Sequence, residues 1–219
     1  MLFRSLITSH LNTDFDSLAS MIAVRKLYPD AMICPPGAMG RKVRDFMAHY
    51  GHQWKFLKPK NVPMEQVTLM VVVDTRARSR IGTFAALAGR HDVSVHIYDH
   101  HPPTVDDIPA ETMQWAPIGA TVTMLVEQLV RERKPISPEE ATLFALGIYD
   151  DTGALTYEST TARDVLAVAR LREMGADLSR ILARAEVSMP AAERRLLDVL
   201  AENARERDRK STRLNSSHW

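Results

Sequence analysis

The chain of 219 residues has a single cysteine, Cys34. That excludes an intrachain disulfide and any metal cluster built on several thiolates, and it fits a reducing compartment, with the cytoplasm as the expected location. Charge of one sign is also lacking: 28 Lys and Arg face 27 Asp and Glu, a net charge of +1. A protein so balanced is not a nucleic-acid binder of the usual basic kind, so any phosphate ligand has to be handled locally. Long hydrophobic runs are missing too. The longest aliphatic one, Leu69 to Val73, falls far short of the ~20 residues of a membrane-spanning helix. The opening Met1 to Thr8 is too short an apolar stretch for an export signal, and no membrane partner is expected. Neither the Gly-rich dinucleotide fingerprint nor a loop ending in Gly-Lys-Ser/Thr occurs, which removes those routes to nucleotide binding.

What is present alternates. Short apolar runs at Leu2 to Ser9, Ala31 to Cys34, Val67 to Val73 and Val93 to Tyr98 predict strands. Helical spacing at Ser17 to Leu27, Arg41 to His49 and Ile81 to Leu87 separates them. This order implies an α/β fold, a parallel sheet with flanking helices. From Gly119 the pattern turns mostly helical: Ala120 to Glu132, Pro138 to Tyr149, Thr161 to Met174, Leu178 to Ala185 and Pro190 to about Arg205, with a short strand expected at Leu155 to Tyr157. Ser137 followed by Pro138 is a good helix start. Residues 1–118 are therefore read as a parallel metal-binding core and 119–207 as its helical remainder leading into a charged linker.

Four acidic or histidine clusters fall at the ends of these elements, mostly strand ends, where open α/β sheets place ligand sites. The first is His10-x-Asn12-x-Asp14-x-Asp16, whose alternate spacing in an extended segment turns four side chains to one side. Taken alone it reads equally well as a polar loop with a helix cap at Asp14 or Asp16. The second is Asp74-Thr75-Arg76, where a carboxylate taken alone is more often a cap for the next helix than a ligand. The third, Asp99-His100-His101 before two prolines, is hard to explain as packing. The fourth is Asp150-Asp151-Thr152-Gly153, by itself an ordinary turn. Together they supply an oxygen-rich ligand set with some imidazole, which suits two divalent cations, Mn²⁺ first and Mg²⁺ as the alternative, better than a structural zinc. Paired ions ~3.5–4 Å apart polarise a phosphoryl group and need a shared carboxylate, and Asp74, alone on its strand end, is the natural bridge.

The same residues carry a resemblance. His10-x-Asn12-x-Asp14-x-Asp16, Val71-Val72-Val73-Asp74, Asp99-His100-His101 and Asp151-Thr152-Gly153, in that order, resemble the four motifs of the DHH phosphoesterase superfamily. The resemblance implies one metal on His10, Asp14 and Asp74 and a second on Asp16, Asp74, His100 and Asp151, with Asp74 and His101 catalytic and His101 on the substrate phosphate. It leaves Asp150 as a supporting or surface carboxylate. Asn12 is expected beside the substrate as a hydrogen-bonding group. Arg76, with Arg78 and Arg80, can attract phosphate, although a solvated helix start is the better account of these arginines. The implied activity is hydrolysis of phosphodiesters or phosphomonoesters of nucleotides or short oligonucleotides. Manganese-dependent inorganic pyrophosphatase and a metal or nucleotide (tRNA) binding module without turnover are the alternatives. Leu27 to Ala31, Ile97 to Pro103 and Pro138 to Gly153 further resemble the amino-terminal part of longer members, in which CBS domains and a tRNA nucleotidyltransferase or poly(A) polymerase module follow; tRNA would be a partner through those parts. The oligomeric state stays open, a homodimer included. Residues 208–219 resemble a translated sequencing adapter and are expected to be a non-native tail.

Overall fold

The computed structural model describes residues 5–177 and 179, and the expected helices beyond Leu178, the charged linker and the tail lie outside them. Five strands, β1 (Ser5–Thr8), β2 (Met32–Ile33), β3 (Leu69–Val73), β4 (Ser94–Asp99) and β5 (Thr112–Trp115), form one sheet in the order β2-β1-β3-β4-β5. Every pairing is parallel. The helices are α1 (Phe15–Arg25), α2 (Arg41–Tyr50), α3 (Thr121–Arg131), α4 (Pro138–Asp151) and α5 (Ala162–Glu173). The parallel layer and α3 to α5 belong to one compact unit that runs to Leu178. The α/β expectation is met, with the strand order reversing between β1 and β3.

Burial explains why β3 reads as a continuous apolar run rather than an alternating one. Met70, Val71, Val72 and Val73 have no exposed surface, as expected for a strand covered on both faces. Each such side chain stabilises the fold by about 1.5–3 kcal/mol relative to exposure. One face of the sheet, with Leu6, Met70, Val72, Val95 and Ile97, packs on Ile81, Phe84, Leu87 and Ile108 from the connecting segments. Ile7, Val71 and Val73 alternate to the other face, where α1 packs.

Two expectations are corrected, and one strand lies where none was expected. Ile81 to Leu87 is not an α-helix: residues Arg78–Gly89 form 3₁₀ turns broken at Gly82, whose φ of 55° no regular helix accepts. Leu155 to Tyr157 is not a strand, because Ala154 and Leu155 both take positive φ (56° and 68°) in a turn capped by the Thr152 hydroxyl. Finally, β5 was unforeseen; its sequence, Thr-Met-Gln-Trp, lacks an apolar run, and it is an edge strand recruited by β4.

Two helix junctions set the position of the site. Helix α4 starts in a capping box, with Ser137 accepting from the Glu140 amide and Glu140 accepting from the Ser137 amide, and Lys26 of the α1 C-cap grips Glu140 at 2.7 Å. Near its other end Gly147 lies against α1: a Cβ there would stand 3.0 Å from Ala19 Cβ, 3.1 Å from Phe15 O and 3.2 Å from Asp16 Cα. Two of those three atoms are helix backbone and cannot swing aside. Gly147→Ala should therefore destabilise the protein by about 1–3 kcal/mol through overpacking, outweighing the ~1 kcal/mol that alanine ordinarily contributes inside a helix. Urea titration should show a lower midpoint at unchanged slope; an unchanged or raised midpoint would show that the helices separate freely.

Candidate metal centre

The site lies at the carboxyl ends of β1, β3 and β4, at the point where the sheet reverses direction. The extended reading of the first cluster is corrected here. Asn12 takes φ 59° and is left exposed on a turn, Asp14 caps α1 by accepting from the Ser17 amide at 3.0 Å, and Asp16 lies in the first helical turn. His10, Asp14 and Asp16 converge through that turn and the helix start, not through strand alternation. Asp74 also takes a left-handed conformation (φ 59°), which Asp tolerates better than most residues, and it is almost fully buried.

Three sets of ligand atoms gather within 4.8 Å of one another: His10, Asp14 and Asp74; Asp16, Asp74, His100 and Asp151; and Asp74, His100 and His101. Asp74 belongs to all three. His10 Nε2 is 3.3 Å from both Asp14 and Asp74. His100 Nε2 is 3.3 Å from Asp151 and 3.6 Å from Asp74. Arg76 is turned to Asp107, with Nη2 2.7 Å from its carboxylate, so its charge is engaged beside the site. Asp150 pairs with Lys42 at 3.7 Å.

The histidines are oriented for ligation. The Nδ1–H of His10 donates to the Leu11 carbonyl at 2.6 Å and that of His100 to the Ile118 carbonyl at 2.9 Å. Fixing Nδ1 this way aims Nε2 at the carboxylates. The Nε2 of His100 is buried without a hydrogen-bond partner, and the three carboxylates of Asp16, Asp74 and Asp151 converge on the same space. A divalent cation satisfies both conditions, and the donor set of oxygens with imidazole fits a hard or borderline ion.

The electrostatics of the cluster follow from this crowding. Burial alone would lower His10, but the Asp14 and Asp74 carboxylates push it up to about 10. Burial opposes the charge on His100 too, and Asp151, Asp16 and Asp74 raise it to about 10. Burial would raise Asp74, yet His10, His100 and His101 hold it well below the usual carboxylate range. Asp151 is pushed up to about 6 by burial and by Asp74 and Asp14, against the pull of His100. Asp16 is raised by burial and by Asp74 and Asp151, despite amide hydrogen bonds from Thr121 (2.6 Å) and Val122 (2.9 Å) at the start of α3.

Several supporting residues are visible only in three dimensions. Ser17 donates to Asp74 at 2.6 Å and receives from His10 at 2.7 Å; Thr121 donates to Asp74 at 3.1 Å. Asp99 accepts the Nδ1–H of His101 at 2.8 Å, leaving Nε2 of that ring open. Asp164 is fully buried and ties Gly119, Thr123 and Thr161 together just ahead of α3. The only signal in the sequence for Asp164 is its place three residues after Thr161, which forms the capping box of α5.

The chain belongs to the DHH family: residues 4–148 match the DHH family, N-terminal domain. Among curated relatives it is similar to the A-adding tRNA nucleotidyltransferase of Geobacter sulfurreducens, 39% identical over 91% of this chain and 23% of that protein. The protein of the same name from Aquifex aeolicus is 35% identical over 77% of this chain and 19% of its own length. The chain thus spans about a fifth of these relatives. The bifunctional oligoribonuclease and PAP phosphatase NrnA of Mycoplasma pneumoniae is 28% identical over 59% of this chain and 42% of its own. Among solved structures, an exopolyphosphatase-related protein from Bacteroides fragilis superposes with a TM-score of 0.75 at 20% identity, covering 91% of this chain and 61% of that one, a likeness of fold.

Loading the site should displace protons, since the surrounding carboxylates push His10 and His100 up to about 10. At pH 7 uptake of Mn²⁺ should release about two protons, one per histidine. Affinity should therefore fall with pH throughout the range below about 10, and more steeply below about 6, where Asp151 also gains a proton. Calorimetry in buffers of different ionisation enthalpy reads this directly, and heats independent of the buffer would contradict it.

Proposed function

We propose that this chain is a two-metal phosphoesterase domain acting on phosphodiester or phosphomonoester bonds of nucleotides or short oligonucleotides, and that it forms the amino-terminal DHH part of a longer tRNA-nucleotidyltransferase-like protein. The observation that carries the reading is one carboxylate, Asp74, common to every candidate ligand set. Family membership and the NrnA likeness support it. His10, Asp14 and Asp74 would hold one ion and Asp16, Asp74, His100 and Asp151 the other, Mn²⁺ being the expected metal. Divalent ions bound there would supply Lewis-acid polarisation of the phosphoryl group and acidify water.

The chain's own groups do the rest. The Asp99 hydrogen bond fixes the His101 ring so that its open Nε2 can meet a phosphoryl oxygen as charge develops. The first amides of α3 hold Asp16 in place, and Thr121 and Ser17 orient Asp74. Asn12 on its exposed turn is a further substrate contact, and Arg76, engaged by Asp107, would act at most through its remaining donors. The buried thiol of Cys34 suits a reducing cytoplasm.

A second reading has one specific support: the two relatives that match most of this chain are named for nucleotide transfer, not hydrolysis. In that case the domain binds metal and nucleotide without turnover. The full chain with Mn²⁺, offered bis(p-nitrophenyl) phosphate, a dinucleotide and pyrophosphate, separates the readings. We expect chelator-sensitive release from the diester or dinucleotide, abolished by Asp74→Ala and lowered on the order of 10²–10³-fold in kcat by His101→Ala. Metal binding with no turnover would favour the binding module, preferential cleavage of pyrophosphate would move the substrate class, and activity surviving Asp74→Ala would overturn the scheme.

A further inference from the structure

Trp115 is 44% exposed, at the end of edge strand β5. Its register partner across the sheet is Asp99, the residue before the two site histidines. The indole is not free to wander: Nε1–H donates to the His101 carbonyl at 2.7 Å, which satisfies its one polar atom and ties the ring to the backbone of a site residue. Met113, two residues earlier and so on the same side of the strand, is also exposed at 37% and widens the apolar surface.

We propose that Trp115 is the stacking platform for the base of a nucleotide whose phosphate is held at the metal centre. This deepens the phosphoesterase reading and rests on it. The argument is one of matched chemistry. A group that lies beside a phosphate-handling cluster, is flat, apolar and fixed, and has its hydrogen-bonding capacity already used offers a face to stack on and no donor to read a sequence with. A nucleobase joined to its phosphate through one ribose fits that arrangement, and every base has such a face. Polyphosphate and pyrophosphate have nothing to place there. The site would therefore prefer phosphates that carry a base, with little preference among the bases.

The test compares two ligands that differ only in the base. Binding of AMP and of ribose 5-phosphate to the full chain in Mn²⁺ is measured by calorimetry, which does not depend on turnover. Wild-type protein is expected to favour AMP. Trp115→Ala and Trp115→Leu should cut that preference on the order of tenfold, the scale of one base–aromatic stack. Any disturbance of His101 would fall on both ligands and cancel in the ratio. Trp115→Phe, which keeps a ring but loses the hydrogen bond, should retain most of the preference; its loss in Phe as well as Ala would mean that the hydrogen bond to His101, not stacking, sets it, and would overturn the proposal. An unchanged ratio in Ala and Leu, or no preference for AMP in the wild type, would also overturn it. If the ratio behaves as expected while no ester is cleaved, the stacking platform stands and the phosphoesterase reading fails; if esters are cleaved and the ratio does not move, the reverse holds.

Discussion

A carboxylate removed from water has to be held by charge or by donors, and Asp74 is held by both. It is only 1% exposed, accepts from Ser17 and Thr121, and lies against His10 and His100. Burying such a group without compensation would cost several kcal/mol. The three elements around it are therefore not independent. The end of β3 presents Asp74, the first turn of α1 brings Ser17 and Asp16, and the start of α3 brings Thr121. Moving any one of them leaves a buried charge short of a partner.

The rest of the fold secures these positions. Strand order reverses between β1 and β3, which opens the crevice where His10 and Asp74 meet. Gly147 lets α4 approach α1 closely, so that Asp151, one turn further on, reaches His100. The Asp164 network fixes the turn at Gly119 and thereby the amides that hold Asp16. Each device lies away from the ligand atoms and acts by setting the approach of a backbone, which is how small displacements in a scaffold become losses of affinity at a site.

Much of this was legible in the sequence because parallel strands are buried on both faces and end abruptly. Val71 to Val73 followed by Asp74, and Ile97 and Tyr98 followed by Asp99-His100-His101, mark strand ends without ambiguity, and strand ends in such sheets face a common crevice. What could not be read has a physical reason in each case. The positive φ of Asn12 and Asp74 leaves no trace in an apolar pattern. Strand β5, Thr-Met-Gln-Trp, has no apolar run and forms along the hydrogen-bonding edge that β4 offers. Gly82 falls inside the expected helix Ile81 to Leu87, yet its backbone adopts a conformation that stops one. Ser17, Thr121 and Asp164 are ordinary helix residues until a partner from 41 to 57 positions away in sequence arrives.

The central claim is that Asp74 bridges two ions. Crystals grown with Mn²⁺ and examined by anomalous scattering at the manganese edge test it directly. Two peaks about 3.5–4 Å apart, each within bonding distance of one Asp74 oxygen and divided between His10–Asp14 and Asp16–His100–Asp151, are the result the account predicts. A single peak, or a pair that Asp74 does not join, would contradict it.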